Sequence, residues 1–397
     1  MRLHPERLRH HASSATLAVA LFGLMCCAMA APLHAQQKPA AEPEVLNGPQ
    51  GTTEVGILDG SAYRIDIPPD WNHSLVVYYH GYAQAPVTFH LAERIQWQEQ
   101  PLLDRHFAIA QSAYSKPGWA LEQAYPQTEA LRHYFLKKYG QPRETYVAGS
   151  SMGGNLVSIT LELNPQPYLG GLDLCGAVGP TSESFQRRFA MRAAFDHYFP
   201  GVMPVLVPTP AAYEDTPAVR DRIVFALHTN PTIATQMRSL MGLRTDQDIA
   251  DDIAYFTFVI GDIQRRAGGN PFDNTNYIYT GTNPASMTTD AELNDHVQRY
   301  TAAPKAIDYL THHYTPSGHL GRPMLALHTL YDPLVPPSTL ALYAHEVEAA
   351  GAGENLVQQY VHREGHCNIT AEMIGRAFDE LIQWTHNGPR PAPGLLR

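Results

Sequence analysis

The chain has 397 residues, 44% of them hydrophobic and 17% charged, a balance typical of a folded globular protein that excludes a largely disordered one. Its formal net charge is −10 and no basic patch stands out, which argues against a nucleic-acid partner. A chain of this length can form one large domain, or one domain with a substantial insertion.

The first 30 residues have the pattern of an export signal. Three arginines precede an apolar run over 15–30, which ends in the small-x-small sequence Ala-Met-Ala. The run is too short for a comfortable membrane span. We therefore predict a signal peptide at 1–30, a secreted or periplasmic mature protein, and no stable membrane span in it. The alternative is a membrane-tethered N-terminal helix. The Pro-, Ala-, Gln- and Glu-rich segment 31–50 predicts a flexible leader.

Strands and helices alternate from residue 51 to residue 180. Apolar and β-branched runs predict strands at 52–58, 62–67, 74–79, 107–110, 144–148 and 172–178. Helical patterns cover 90–103, 120–139 and 155–163. The continuous apolar run at 74–79 is typical of a strand buried on both faces of a mostly parallel sheet. The alternation predicts an α/β fold with right-handed crossovers.

The pattern changes between residues 181 and 320. Helix-like segments at 185–199, 216–228, 232–240 and 246–261 are separated by loops rich in Asn, Pro and Gly. We interpret 181–320 as one mainly helical cap inserted into a core formed by 51–180 and 321–388. Strands at 323–328 and 356–361 and helices at 339–351 and 370–384 complete that core, and the Pro-rich tail at 389–397 is predicted to be disordered.

The sequence Gly149-x-Ser151-x-Gly153 is the nucleophile-elbow pattern. It lies between the predicted strand at 144–148 and the predicted helix at 155–163, which is the strand–turn–helix context that the motif requires. The elbow exposes the serine oxygen, and glycines are needed where strand and helix crowd together. The alternative is an ordinary Gly/Ser-rich turn.

A nucleophilic serine needs a base and an orienting acid. Asp332 follows the strand at 323–328, at the carboxyl end where α/β sheets place functional groups, although a structural Asp-Pro turn is the alternative. His366 follows a glycine in the loop after the last strand. His362 is a rival base, but it lies too near the strand to reach the elbow. The chain order predicts a catalytic triad of Ser151, Asp332 and His366.

An oxyanion hole would complete the site with two backbone N–H groups. One should belong to Met152, directly after the nucleophile, and the other to Tyr82 in the loop His80-Gly81-Tyr82. A simple strand-ending turn is the alternative for that loop.

The sequence has no dinucleotide, phosphate or zinc motif, so we predict no cofactor. The segment 273–276 has oxygen ligands but lacks the spacing of a calcium loop, and no metal site is predicted.

The elbow, the loop at 80–82, the acid loop at 332–336 and Gly365-His366-Cys367 together resemble the α/β-hydrolase superfamily. The doubled glycine after the elbow and the Asp-Pro-Leu-Val-Pro loop look like its prolyl-oligopeptidase-like branch. There is some similarity to feruloyl esterases and tannases, which act on aromatic esters. Those enzymes often carry a cysteine directly before the nucleophile, bridged to one directly after the histidine.

In this chain Ser150 occupies the position before the nucleophile, while Cys367 matches the position after the histidine. Cys175 is the other cysteine outside the predicted signal peptide. The two form either a disulfide that holds the histidine loop against the sheet, or a pair of buried free thiols.

The sequence thus predicts a secreted serine hydrolase that cleaves small-molecule or polymer-attached carboxylic esters, with aromatic or hydroxycinnamoyl esters as candidates. A serine peptidase or amidase of the prolyl-oligopeptidase-like type is one alternative. A non-catalytic binding protein with the α/β-hydrolase fold is the other, and the three filled triad positions disfavour it.

Overall fold

The computed structural model describes residues 42–313 and 315–396, so the predicted signal peptide and residues 31–41 of the predicted leader lie outside the described residues. Ten strands are described, in chain order β1 (Glu44–Gly48), β2 (Gly51–Leu58), β3 (Ser61–Ile67), β4 (Leu75–Tyr79), β5 (Ala108–Ser112), β6 (Thr145–Ser150), β7 (Gly170–Leu174), β8 (Met324–Tyr331), β9 (Leu356–Glu364) and β10 (Gly394–Leu395).

These strands form one sheet in the order β1-β2-β3-β5-β4-β6-β7-β8-β9-β10. β1 and β3 each run antiparallel to β2, which lies between them, and β3 is antiparallel to β5. Every pair from β5 to β10 is parallel. The exchange of β4 and β5 in this order, followed by a parallel half, is the arrangement of the α/β-hydrolase fold. The fold predicted from the sequence is confirmed.

Helices cover both faces of the sheet. These helices are α1 (Gln100–Leu103), α2 (Leu121–Tyr139), α3 (Met152–Leu163), α10 (Ser338–Ala349) and α11 (Ala371–Thr385). One hydrophobic cluster joins Val77 to Phe135 of α2 and Leu156 of α3. The other joins Val76 to Phe378 of α11. Successive residues of β4 therefore enter opposite clusters, which explains why this strand is apolar throughout.

The segment between β7 and β8 is mainly helical. It contains α4 (Thr181–Tyr198), α5 (Pro217–Thr229), α6 (Pro231–Met241), α7 (Asp246–Arg266), α8 (Thr288–His296) and α9 (Pro304–His313). Buried side chains of α4 and α7 belong to the same hydrophobic cluster as one face of the sheet. Within the described ranges, no helix is both long enough and apolar enough to cross a bilayer.

Three predictions about local structure were wrong. Residues 44–48 of the predicted leader form β1, whose side chains are all exposed but whose backbone pairs with β2. Residues 394–395 of the predicted disordered tail form β10 beside β9, and Arg390 donates to the Leu356 carbonyl at 2.7 Å. The helix predicted at 90–103 is reduced to α1, which begins with a proline in its first turn. Backbone pairing at a sheet edge leaves little trace in hydrophobic periodicity.

Candidate active site

Ser151 lies at the junction of β6 and α3, where the chain turns sharply. Its φ of 57° and ψ of −119° are rare for a residue with a side chain. The flanking glycines allow the crowding: a Cβ on Gly153 would lie 2.0 Å from the Tyr79 carbonyl oxygen, and one on Gly149 would lie 2.4 Å from the Gly153 carbonyl oxygen. The local geometry is that of a nucleophile elbow.

The structure brings His366 and Asp332 to this serine. His366 follows β9, and its Nε2 lies 2.8 Å from the Ser151 Oγ. Its Nδ1 lies 2.7 Å from the Asp332 Oδ2. Because an ionised carboxylate can only accept hydrogen bonds, Nδ1 carries the proton, and Nε2 is free to accept a hydrogen bond from the Ser151 hydroxyl. The rival His362 lies within β9 with an exposed side chain and is not part of this arrangement.

Asp332 directly follows β8 and is buried. Its Oδ1 accepts the backbone N–H groups of Leu334 and Val335, both at 2.9 Å, so each carboxylate oxygen has a partner. Burial acts to raise the pKa of Asp332, but the hydrogen bonds from His366 and from the Val335 N–H help to outweigh it and hold that pKa below its ordinary value. Asp332 is therefore ionised and can stabilise a protonated His366.

A second histidine borders the acid, and sequence reasoning missed it. His328 lies in β8, fully buried, with its Nε2 3.6 Å from the Asp332 Oδ2 and 2.7 Å from the Val335 carbonyl oxygen. Burial lowers the pKa of His328, so it is neutral and donates its Nε2 proton to that carbonyl. It thereby helps to hold the loop around Asp332. A histidine within an apolar strand is the only sequence signal for it.

The predicted oxyanion-hole residues lie beside the elbow. A Cβ on Gly81 would be 3.3 Å from both the Ser150 carbonyl oxygen and the Ser151 Cβ, so the loop at 80–82 packs directly against the nucleophile. Met152 is the first residue of α3, where a backbone N–H has no acceptor within its own helix. The ring of Tyr82 packs edge-on against Tyr255 of α7, with ring centroids 5.5 Å apart. The oxyanion role of the two N–H groups stays a prediction.

A disulfide joins Cys175 to Cys367 across 192 residues of sequence, with a Cα–Cα distance of 5.2 Å. Cys175 directly follows β7, and Cys367 directly follows His366. The bond therefore ties the histidine loop to the end of a central strand. Since both sulfurs are bonded to each other, they are not available as thiolate ligands for a metal.

An unexpected carboxyl lies beneath the elbow. Asp173 of β7 is fully buried, and its Oδ1 leaves no room for side chains on Gly154 or Gly176, whose Cβ atoms would lie 1.9 and 2.1 Å from it. Burial raises the pKa of Asp173 to about 8, so it carries a proton at neutral pH. No sequence pattern indicates this buried carboxyl, because an isolated aspartate in a strand usually faces solvent.

A cavity opens at the triad, between the sheet and helices α4 and α7. Aromatic side chains line it together with Ser151 and His366, namely Trp119, Phe185, Tyr255 and Phe256. Arg188 of α4 also lines it. The cavity combines an apolar wall with a few polar groups, which is typical of small-molecule sites.

No protein-family model and no curated protein match the chain. Among solved structures, it is similar to puromycin hydrolase at 16% identity and a TM-score of 0.41, covering 91% of this chain and 42% of that one. The chain thus spans about two fifths of that protein.

Two further similar structures cover more of their own chains. Est1E from Butyrivibrio proteoclasticus is 14% identical with a TM-score of 0.40, covering 84% of this chain and 99% of that one. Candida antarctica lipase A is 13% identical with a TM-score of 0.45, covering 88% and 78%. Because these TM-scores lie below 0.5, the fold assignment depends on the strand order of the present chain.

Proposed function

We propose that the protein is a serine hydrolase that cleaves carboxylic esters. The observation that carries this proposal is the continuous hydrogen-bonded series from Ser151 through His366 to Asp332, built on an elbow. That series is the arrangement needed to activate a hydroxyl that is otherwise a poor nucleophile.

In the proposed reaction, Ser151 Oγ attacks the ester carbonyl carbon while His366 Nε2 takes its proton. Asp332 stabilises the resulting imidazolium. The N–H groups of Met152 and Tyr82 bind the oxyanion of the tetrahedral intermediate. When the intermediate collapses, the ester C–O bond breaks and His366 protonates the departing alcohol. A water molecule, deprotonated by His366, then releases the acid and restores Ser151.

The lining of the cavity favours an aromatic acyl group. Four aromatic rings border the space next to the nucleophile, and rings prefer offset or edge-on contacts with other rings. We therefore propose aromatic esters, including hydroxycinnamoyl esters, as substrates, either as small molecules or attached to a polymer.

Export is part of the same proposal. The predicted signal peptide and the Cys175–Cys367 disulfide both suit an oxidising compartment, where such bonds persist. We propose that the mature protein is secreted or periplasmic.

Fluorophosphonate labelling of the mature protein tests the chemistry, with Ser151→Ala as the matched control. We expect labelling and p-nitrophenyl ester turnover in the wild type and neither in the variant.

Paired ester and amide substrates of one acyl group distinguish an esterase from a peptidase or amidase, because faster amide cleavage would favour the latter. A folded protein that binds ligand but never labels would identify a non-catalytic binding protein.

A further inference from the structure

Three side chains that line the cavity at the triad carry buried donors without partners. The atoms are Trp119 Nε1, Thr181 Oγ1 and Arg188 Nε, none of which has a hydrogen-bonding partner among the described residues. The three side chains are 7%, 3% and 7% exposed. Most buried polar groups in proteins are paired, so three unpaired donors around one cavity call for an explanation.

Arg188 is held in place by its other donors. Its Nη1 donates to the Ser184 carbonyl at 3.1 Å, and its Nη2 donates to the Leu334 carbonyl. Its guanidinium lies over the Phe256 ring, 4.0 Å from the centroid. Nη1 and Nη2 each have an acceptor, so Nε is the one guanidinium nitrogen of Arg188 without a hydrogen-bonding partner among the described residues.

The charge around Arg188 indicates which acceptor suits that donor. The Asp252 Oδ2 lies 3.7 Å from Nε, beyond hydrogen-bonding distance but close enough to neutralise the cation. A second carboxylate brought next to Arg188 would be repelled by Asp252, and both would be buried. A neutral oxygen avoids that repulsion and still accepts a hydrogen bond.

We propose that this cavity selects an aromatic acyl group bearing neutral oxygen acceptors, such as hydroxyl, methoxyl or keto oxygens, with Trp119, Thr181 and Arg188 as its specificity-determining donors. The inference rests on the proposed esterase function. A plain hydrocarbon ring would fill the aromatic wall and leave the three donors unpaired. A site built to hydrogen-bond a ligand discriminates strongly against an analogue that lacks the acceptor.

The test compares p-nitrophenyl benzoate with derivatives that carry a hydroxyl, methoxyl or acetyl group on the benzoyl ring. Each kcat/KM is divided by the rate of alkaline hydrolysis of the same ester, which removes the intrinsic reactivity. We expect the corrected kcat/KM of the best oxygen-bearing derivative to exceed that of the benzoate by about 10-fold or more. The 4-carboxybenzoate ester should show no gain in corrected kcat/KM over the benzoate. If it is the preferred substrate, the assignment of a neutral acceptor is overturned.

Two variants remove a donor while keeping the shape of the side chain, Trp119→Phe and Thr181→Val. Each should lower the preference for the oxygen-bearing ester by about 3- to 10-fold, the loss of one hydrogen bond. Trp97→Phe and Thr235→Val make the same chemical changes at exposed positions and should leave the preference unaltered. Arg188 is not substituted in this test, because its contact with Leu334 also supports the loop around Asp332.

The outcomes separate this inference from the proposed function. Ester hydrolysis that depends on Ser151, with equal preference in wild type and both donor variants, would overturn the inference and leave the esterase intact. If no hydrolysis depends on Ser151, the proposed function fails, and calorimetric binding of benzamide and methoxybenzamides to the protein decides the inference separately. Tighter binding of a methoxybenzamide, weakened by Trp119→Phe, would support the donor site, and equal affinities would overturn it.

Discussion

Removal of the Cys175–Cys367 disulfide should affect both stability and activity. The bond closes 192 residues, and the loop-closure relation for that length gives about 18 cal/mol/K of entropy removed from the unfolded chain, or about 5 kcal/mol at 25 °C. Substitution of both cysteines by alanine should therefore lower the free energy of unfolding by several kcal/mol. Cys175 is buried in one of the two hydrophobic clusters, and its truncation adds a smaller packing loss.

Activity should fall because Cys367 adjoins His366. Without the bond, the histidine loop loses its attachment to the end of β7. A displacement of about 1 Å at a reacting group can cost about 100-fold in rate. We expect kcat for a p-nitrophenyl ester to fall by at least about 10-fold in the double-alanine variant.

Urea unfolding and steady-state kinetics, each with and without dithiothreitol, measure both effects. The wild type should lose stability and kcat in the reductant, whereas the double-alanine variant should be insensitive to it. If the variant unfolds within about 1 kcal/mol of the oxidised wild type and keeps its kcat, the bond neither restrains the unfolded chain nor positions His366, and the reasoning fails.

Three further predictions follow from the elbow and its surroundings. Asp332→Asn should reduce kcat by roughly 10⁴-fold, as in a comparable triad, because His366 loses the carboxylate acceptor that fixes its tautomer. If circular dichroism shows that the variant is folded like the wild type and its kcat is unchanged, Asp332 has no part in the mechanism. Asp173→Asn should gain stability over the wild type as pH rises. The folded pKa of Asp173, about 8, lies above its ordinary value, so the free energy of unfolding of the wild type falls by on the order of 5 kcal/mol between pH 4 and pH 8. The asparagine variant has no carboxyl to ionise and should not show this fall. Urea titrations at both pH values measure the difference, and equal pH dependence in the two proteins would show that Asp173 is ionised throughout. Gly153→Ala should destabilise the fold by more than about 2 kcal/mol, because its Cβ would lie 2.0 Å from the Tyr79 carbonyl oxygen, whereas Gly48→Ala meets nothing within 4 Å and should change the melting temperature little.

The sequence allowed prediction of the features that depend on local chemistry. The elbow around Ser151 needs glycines at fixed offsets, and the strand before it and the helix after it have clear periodicities. Asp332 and His366 follow recognisable strands, so their positions at the same sheet edge could be inferred from topology. The structure brings the three side chains together.

Features that depend on tertiary contacts were missed. The strands β1 and β10 are set by backbone pairing at the sheet edges, and α8 and α9 are short helices within a loop-rich stretch. The buried Asp173 and the unpaired Nε of Arg188 look in sequence like ordinary polar residues. Only the packing of neighbouring elements takes them out of solvent.

The separation of Ser151 from His366 by 215 residues has a consequence during synthesis. At about 5 to 20 residues per second, the ribosome needs roughly 10 to 40 s to add the histidine after the serine. During that interval the nascent chain contains the elbow without its base, and the helices from α4 to α9 are made before β8 can join the sheet. Under the proposed function, the growing polypeptide therefore gains triad-dependent ester hydrolysis only after its last strands are in place.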